Sequence, residues 1–233
     1  MNANQYLKIG VMGGMGPETS AAFYSNIISL FQTERKARHN FEFPEMLIHN
    51  VPSPDNVEAG VNQELLPYML ASVALLEEAG MDFITIPCNS AHVHIDAIQQ
   101  SAKIPVMNIL EETAKVVASS TVTTVLVLGT KSTLGYGLYP PYLAKYGLTS
   151  LVPSAAHQDA LTEMIMQVCD GTVNAQTRTR MLTLIAAYPQ AQGVVLGCTE
   201  IPLIVGQKDM DLPCFDTAEI LTRATFDRCV AGT

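Results

Sequence analysis

The 233-residue sequence has no tryptophan, few aromatic residues and little charge. Only 15% of the residues are charged and 48% are hydrophobic, whereas globular chains average about 25% charged residues. Intrinsic disorder is excluded, because disordered chains are too polar to bury a core. The length predicts one or two folded domains, and the sparsely charged surface is compatible with a second subunit that covers part of it.

Positive charge is scarcer than negative charge, with 13 basic against 22 acidic residues and a net charge of −9. Nucleic acids and anionic membranes are bound by clustered Lys and Arg. The short basic segment 35–39 is interpreted as a solvated helix end or loop, and no long basic run occurs, so we expect neither as a partner. No apolar stretch is long enough to cross a bilayer. The first apolar run, residues 9–12, is too short for a signal peptide, so we expect a cytoplasmic protein.

The cysteines are few, scattered and odd in number, which argues against a disulfide framework. They are Cys88, Cys169, Cys198, Cys214 and Cys229. In a reducing cytoplasm such residues stay as thiols, so they remain available for chemistry.

Short apolar runs alternate along the chain with longer amphipathic segments. The short runs lack strict alternation, which is typical of strands covered on both faces of a parallel sheet. These predicted strands are 7–12, 46–51, 83–86, 105–107, 122–128, 150–152, 193–196 and 213–215. The predicted helices are 17–32, 62–79, 91–101, 111–119, 157–168, 175–187 and 218–230. The order predicts an α/β fold with right-handed crossovers.

Three landmarks recur in the same order in the two parts of the chain: a glycine and a cysteine that end apolar runs, and an Asn or Asp suited to cap a helix. They are Gly13, Cys88 and Asn108, then Gly129, Cys198 and Asp216. The repeat predicts two similar α/β halves, related by a pseudo-twofold axis with an active-site cleft between them. We expect the first half to comprise residues 1–115 and about 212–233, and the second to comprise 116–211.

Ligands of open α/β sheets bind beyond the carboxyl ends of the strands, where both Cys88 and Cys198 lie. A strand-to-helix junction favours the thiolate, and the predicted axis would make the two sulfur atoms face each other. Such a pair can remove a proton from one face of a carbon atom and return one to the other face. The neighbouring short donors suit a substrate carboxylate; they are Asn89, Ser90, Thr130 and Thr199.

Cofactor and metal sites are less well supported by the sequence. The glycine-rich segment 13–18 lacks the G-x-G-x-x-G spacing of dinucleotide-binding loops, and no lysine is placed convincingly for pyridoxal phosphate. His92 and His94 lie close to Cys88, which raises the possibility of zinc. There is no second ligand cluster, however, and two histidines two residues apart on a helix point to different faces. We expect no cofactor and no metal.

Three segments resemble the signature blocks of the aspartate/glutamate racemase superfamily, and most closely those of its aspartate racemase branch. They are GGMGPET at 13–19, PCNSAH at 87–92 and GCTEI at 197–201. The resemblance implies two flavodoxin-like, three-layer halves and a cofactor-independent racemase, commonly a cytoplasmic homodimer. It makes Cys88 and Cys198 the catalytic acid/base pair. The implied substrate-binding residues are Met15, Asn89, Ser90, Thr130 and Thr199.

Two departures from the family pattern bear on the substrate. Asn56 stands where aspartate-specific members carry an arginine, and Cys169 stands near the position of a family lysine. Both cations would pair with a side-chain carboxylate. Aspartate is the first expectation for the substrate; glutamate, neutral or several amino acids, and hydantoins remain alternatives. A binding protein without turnover and a redox-sensing thiol pair are the hypotheses outside racemisation.

Overall fold

The computed structural model of the protein describes residues 6–53 and 64–231. Asn56 lies outside these residues. Within them the chain forms two separate parallel sheets with intervening helices, which confirms the predicted α/β class. No helix in the described part of the chain is long and apolar enough to cross a membrane.

The strands of the described residues are β1 (Ile9–Gly13), β2 (Met46–Asn50), β3 (Phe83–Thr85), β4 (Thr124–Gly129), β5 (Thr149–Leu151), β6 (Gly193–Gly197) and β7 (Cys214–Asp216). The helices are α1 (Pro17–Glu34), α2 (Leu65–Glu78), α3 (Ile95–Ser101), α4 (Ile109–Ala118), α5 (Lys131–Gly135), α6 (Tyr139–Lys145), α7 (Ala155–Cys169), α8 (Ala175–Ala186) and α9 (Thr217–Ala231). Short 3₁₀ turns cover Asn40–Glu42, Ser90–His94, Ile201–Leu203 and Gln207–Asp209.

The first sheet has the strand order β2-β1-β3, with all pairs parallel. Every residue of β1 is buried, which explains why its sequence is apolar without alternation. The predicted strand 105–107 is reduced to one parallel bridge between Ile84 and Val106 at the β3 edge.

The second sheet has the order β5-β4-β6-β7, again all parallel. Its central strand β4 corresponds to β1, and β6 corresponds to β3. The edge contact recurs as well: Ile84 N–H donates to Pro105 O at 2.8 Å, and Val194 N–H donates to Pro213 O at 2.9 Å. Each sheet therefore has the same topology, as the repeated landmarks predicted.

The chain divides into two compact units. Among the described residues, the first unit contains 6–53, 64–112 and 218–231, and the second contains 113–217. The expected division placed residues from about 212 onward in the first half. In the structure β7 pairs with β6, so the second unit extends to the end of this strand.

Candidate active site

The first thiol, Cys88, lies just beyond the carboxyl end of β3 and is only 6% exposed. Its sulfur is 3.5 Å from the hydroxyl oxygen of Ser90. Asn89 and Ser90, two of the predicted substrate-binding residues, are buried beside it. The central strand β1 pairs with β3, so the glycine-rich loop after β1 belongs to the same edge of the first sheet.

His92 fixes the backbone at Cys88. Its ring is 1% exposed, with Nδ1 2.7 Å from the carbonyl oxygen of Cys88. The backbone N–H of Ile109 donates to Nε2 at 3.2 Å. A carbonyl can only accept, so Nδ1 carries the hydrogen and the ring is neutral. The ring therefore connects the end of β3 to the first residue of α4.

Burial lowers the pKa of His92 to about 4, although hydrogen bonds with the backbone of Cys88 and Met107 raise it. Both ring nitrogens are already engaged in the bonds just described. In the part of the chain that the structure describes, no group of three or more His, Cys, Asp or Glu could hold a metal ion. His92 acts here as a hydrogen-bonded buried residue, for which the sequence offered only the weak zinc alternative.

The start of α4 is capped as the sequence indicated. The side-chain oxygen of Asn108 accepts from the N–H of Leu110 at 2.9 Å and of Glu111 at 3.3 Å. Such a cap satisfies backbone donors that have no partner within the helix. The helix begins at Ile109, and so its first turn is held both by Asn108 and by the ring of His92.

The second thiol, Cys198, follows β6 and is 5% exposed. Its sulfur donates to the Oε2 atom of Glu200 at 2.8 Å, and the hydroxyl of Thr199 donates to the same oxygen at 3.2 Å. Three consecutive side chains thus form one hydrogen-bonded group. Glu200 belongs to the GCTEI segment at 197–201, to which the resemblance assigned roles only at Cys198 and Thr199; its place two residues after a strand-end cysteine is the signal that the sequence offers.

The helix dipole contributes less to either thiol than the sequence suggested. Cys198 is followed by a 3₁₀ turn of three residues, and Cys88 by one of five residues. The predicted helix 91–101 consequently begins only at Ile95. Neither turn aligns many peptide dipoles towards the cysteine sulfur.

Tyr139 is a further buried group next to the second thiol. Burial raises its pKa, although hydrogen bonds with the side chains of Thr113 and Thr217 lower it, and negative charge at Asp216 and Cys198 adds to the rise. Gly197 allows the close approach of this ring, because a Cβ atom there would lie 3.1 Å from Cε2 of Tyr139. The phenol therefore stays neutral. Nothing local in the sequence pointed to it.

Thr130 and Met15, the predicted substrate-binding residues in the loops after β4 and β1, make different contacts. Thr130 follows β4 and caps α5, with its hydroxyl oxygen accepting from the N–H of Thr133 at 3.2 Å. Gly129 pairs with Gly197, so Thr130 and Cys198 each come one residue after a matched pair of strand ends. Met15 is half-buried and packs against the apolar cluster of the first unit.

The glycine-rich loop after β1 forms hydrogen bonds with the first turn of α1 and within itself. The N–H of Gly14 donates to the hydroxyl oxygen of Ser20 at 2.9 Å, and that hydroxyl donates to the carbonyl of Gly16 at 3.1 Å. Gly14 has a φ of 93°, and a Cβ atom there would lie 2.6 Å from the backbone nitrogen of Val51. The Gly14 amide thus already has a hydrogen-bond partner within the loop.

The position of Cys169 adds no cation. This residue ends α7 and is exposed, and the helix is followed by Gly171 with a φ of 66°. Lys131 comes two residues after the end of β4, and its Nζ is 2.7 Å from a carboxylate oxygen of Asp159.

Fold and site together define a class: an α/β protein built from two topologically repeated units, each with a buried cysteine just beyond the strand next to its central strand. The sequence model of the Asp/Glu/hydantoin racemase family matches residues 12–225. The chain therefore belongs to the Asp/Glu/hydantoin racemase family.

Individual relatives are similar over nearly the whole chain. The broad-specificity amino-acid racemase RacX of Bacillus subtilis (strain 168) is 27% identical over 225 residues, which cover 96% of this chain and 98% of RacX. The crystal structure of an aspartate racemase homologue from Pyrococcus horikoshii OT3 has a TM-score of 0.78 and 28% identity, covering 94% of this chain and 97% of that one. The aspartate racemase of Picrophilus torridus has a TM-score of 0.80 and 26% identity, covering 95% and 93%.

Proposed function

We propose that the protein racemises amino acids without a cofactor, with Cys88 and Cys198 as its paired acid/base residues. The observation that carries this proposal is the matched placement of the two thiols. Each sulfur belongs to a buried residue just after the strand next to the central strand of its sheet, β3 in one unit and β6 in the other. Membership of a racemase family supports the same conclusion.

The reaction needs one sulfur on each side of the substrate α-carbon. A thiolate takes the α-proton, so its S–H bond forms while the C–H bond breaks and the electron pair stays on the substrate. The opposite thiol then gives its proton to the other face of that carbon and becomes the thiolate. The charge that spreads onto the substrate carboxylate would be stabilised by hydrogen-bond donors, for which we propose Asn89, Ser90, Thr130 and Thr199.

We propose aspartate as the first substrate to test. Two of the structurally similar proteins are described as an aspartate racemase and a homologue of one, and both are more than 25% identical to this chain. Met15 is proposed to contact the substrate from the glycine-rich loop. A homodimer in the cytoplasm stays part of the proposal, and sedimentation of the purified protein would measure the subunit number.

A broader range of amino acids is the second candidate, and specific observations favour it. RacX, a broad-specificity racemase, is similar over 96% of this chain. Asn56 and Cys169 are uncharged where aspartate-specific relatives are expected to carry cations, and Lys131 is already paired with Asp159. The loss of these cations would weaken discrimination in favour of acidic side chains.

One experiment tests both reaction and substrate. Enantiopure amino acids with acidic and neutral side chains are incubated with the protein in heavy water. Loss of the circular dichroism signal measures racemisation, and NMR measures deuterium incorporation at the α-carbon. We expect racemisation together with deuterium incorporation. Faster turnover of neutral substrates would select the broad-specificity candidate. Saturable binding without exchange at the α-carbon would replace the proposal by a binding function.

A further inference from the structure

The buried phenol of Tyr139 lies near a proposed catalytic sulfur, and the scheme above gives it no role. We propose that Tyr139 is a positioning residue, which fixes the end of β6 and thereby holds the Cys198 sulfur where it can reach the substrate α-carbon. This inference rests on the proposed racemase function. It makes the placement of one thiol depend on a hydroxyl group that takes no part in the proton transfers.

The ring of Tyr139 packs against the last residue of β6. Tyr139 begins α6 and is 1% exposed. A Cβ atom at Gly197 would lie 3.1 Å from Cε2 of this ring, so the ring comes this close only because residue 197 has no side chain. Gly197 immediately precedes Cys198. The closely packed ring therefore restricts the backbone that carries the sulfur.

A second contact reaches β6 through a hydroxyl group. Thr217, the first residue after β7, donates to the carbonyl oxygen of Leu196 at 2.9 Å. The register between β6 and β7 ends at Leu196 and Asp216, so this side-chain bond extends the contact beyond the paired backbones. Leu196 lies two residues before Cys198, and the bond therefore fixes the strand close to the thiol.

The phenol of Tyr139 supports that contact through a chain of hydrogen bonds with the side chains of Thr113 and Thr217. Because Thr217 gives its one hydroxyl hydrogen to Leu196, it must accept from the phenol. Burial raises the pKa of Tyr139, so the phenol keeps the hydrogen that it donates. Thr113 then donates to the phenol oxygen. All three hydroxyl residues are buried, and successive bonds of this kind strengthen one another.

The first unit fills the corresponding position of its sequence without a hydroxyl group. Tyr139 comes ten residues after Gly129. Ten residues after Gly13, the matching landmark, stands Phe23, which is 2% exposed. A phenyl ring thus suffices for burial at that position, and in the first unit His92 fixes the backbone at the thiol instead. The comparison indicates that the hydroxyl of Tyr139 serves the strand end rather than the filling of the core.

The test is the Tyr139→Phe variant, which keeps the ring and removes its hydrogen bonds. The substrate is the amino acid that the wild type racemises fastest in the experiment above, used as both enantiomers, each with hydrogen or deuterium at the α-carbon. We expect kcat to fall roughly 10- to 100-fold, because a misplacement of about 1 Å has effects of this size. KM should change less than kcat, since the proposed binding donors are untouched.

The isotope effects separate positioning from general damage. If only the step at Cys198 is slowed, proton removal by this residue limits the rate more strongly, and the isotope effect on kcat/KM rises for the enantiomer that it deprotonates. Removal by Cys88 then limits the rate less, and the isotope effect falls for the other enantiomer. Partial unfolding lowers both rates but leaves both isotope effects unchanged. Cys198→Ser assigns the enantiomers, because it should lose α-proton exchange chiefly from the one that Cys198 deprotonates.

Three further variants complete the test. Thr217→Val removes the hydroxyl bonded to Leu196 and should shift the isotope effects in the same opposite directions, which also covers the case in which Tyr139→Phe fails to fold. Thr217→Ser retains a hydroxyl and should recover most of kcat. Tyr142→Phe removes another phenol hydroxyl from α6, where the ring contacts Lys145, and should leave the rates and isotope effects unchanged.

A normal kcat in Tyr139→Phe, or a lower kcat with isotope effects that stay the same or move together, overturns the positioning role. The proposed function is judged separately: it fails if Cys88→Ser and Cys198→Ser still racemise at the normal rate. Inactive cysteine variants together with a fully active Tyr139→Phe would leave racemisation standing and remove only this inference.

Discussion

The two units share a strand order but give their cysteines different surroundings. Cys88 lies 3.5 Å from the hydroxyl of Ser90, and its carbonyl accepts from a neutral histidine ring. Cys198 lies 2.8 Å from the carboxylate of Glu200, with the buried phenol of Tyr139 nearby. The duplicated backbone thus fixes where a thiol is placed, while a few side chains around it decide how its proton is held.

The largest effect should come from removing either sulfur. Cys88→Ser and Cys198→Ser should each reduce racemisation by about 10²- to 10⁴-fold, because each removes one acid/base group. Steady-state rates measured from both enantiomers check this, and Cys169→Ser, a change at an exposed thiol, serves as the control. Normal rates in either variant would contradict the proposed function, since the two thiols would then not act as an acid/base pair.

The next effect concerns the pH dependence of stability in the first unit. The folded state keeps His92 neutral with a pKa of about 4, below the ordinary value of 6.5. The unfolded chain therefore takes up the proton first, and stability is lost as pH falls from about 6.5 towards 4. Between pH 7 and pH 5 this group should cost about 2 kcal/mol of the free energy of unfolding.

Urea unfolding of the wild type and of His92→Gln at both pH values measures that contribution. The variant should be less stable at pH 7, because the Cys88 carbonyl and the Ile109 amide lose a partner, and its stability should change less between the two values. His94→Gln, a change on the same 3₁₀ turn, should retain the wild-type pH dependence. An equal loss in wild type and His92→Gln would show that another group is responsible.

An effect of comparable size should distinguish the loops that follow the two central strands. After β1 comes Gly14 with a φ of 93°, whereas Thr130 after β4 has a φ of −64°. Gly14→Ala combines an unfavourable φ with a Cβ atom 2.6 Å from the Val51 nitrogen, so we expect a loss of about 3 kcal/mol or more. Gly137→Ala, with a φ of 57° and no atom within 4 Å of the added Cβ, should lose only about 1 kcal/mol.

Thermal or urea unfolding of the two glycine variants gives the difference directly. Equal losses of the free energy of unfolding in the two variants would mean that the backbone near Val51 moves easily to accept the added Cβ atom. The positive φ of each glycine would then account for the whole loss.

The smallest effect should come from the helix starts. Thr130 caps α5 through its side chain, whereas Gly16 at the start of α1 makes no side-chain cap. Thr130→Val should therefore lower the free energy of unfolding by about 1 kcal/mol, and Thr130→Ser should recover most of it. Denaturant titration checks both variants, and a Val variant as stable as the wild type would mean that the cap bond contributes nothing.

Much of the fold could be read from local patterns. The run predicted as strand 193–196 is β6, Gly193–Gly197, and the run 122–128 overlaps β4, Thr124–Gly129. Both strands are buried almost throughout, so their composition carries the signal directly. The helices α5 and α6 were not predicted, because Gly135, Gly137 and two prolines interrupt the apolar periodicity of that segment.

The sequence by itself determined most of the strands and the residues that follow them, including both cysteines, because burial within a sheet requires an apolar run in each strand. The run 105–107, which forms only one bridge, is the exception among the predicted strands. Tertiary structure alone decided the hydrogen-bonding partners. The ring of His92 accepts a hydrogen bond from the amide of Ile109, 17 residues further along the chain. Tyr139, at the start of α6, lies near Cys198, which follows β6 much later in the chain. Protonation and hydrogen bonding depend on the distances between groups in the folded protein and on the exclusion of water from them. The spacing of residues along the chain specifies neither of these.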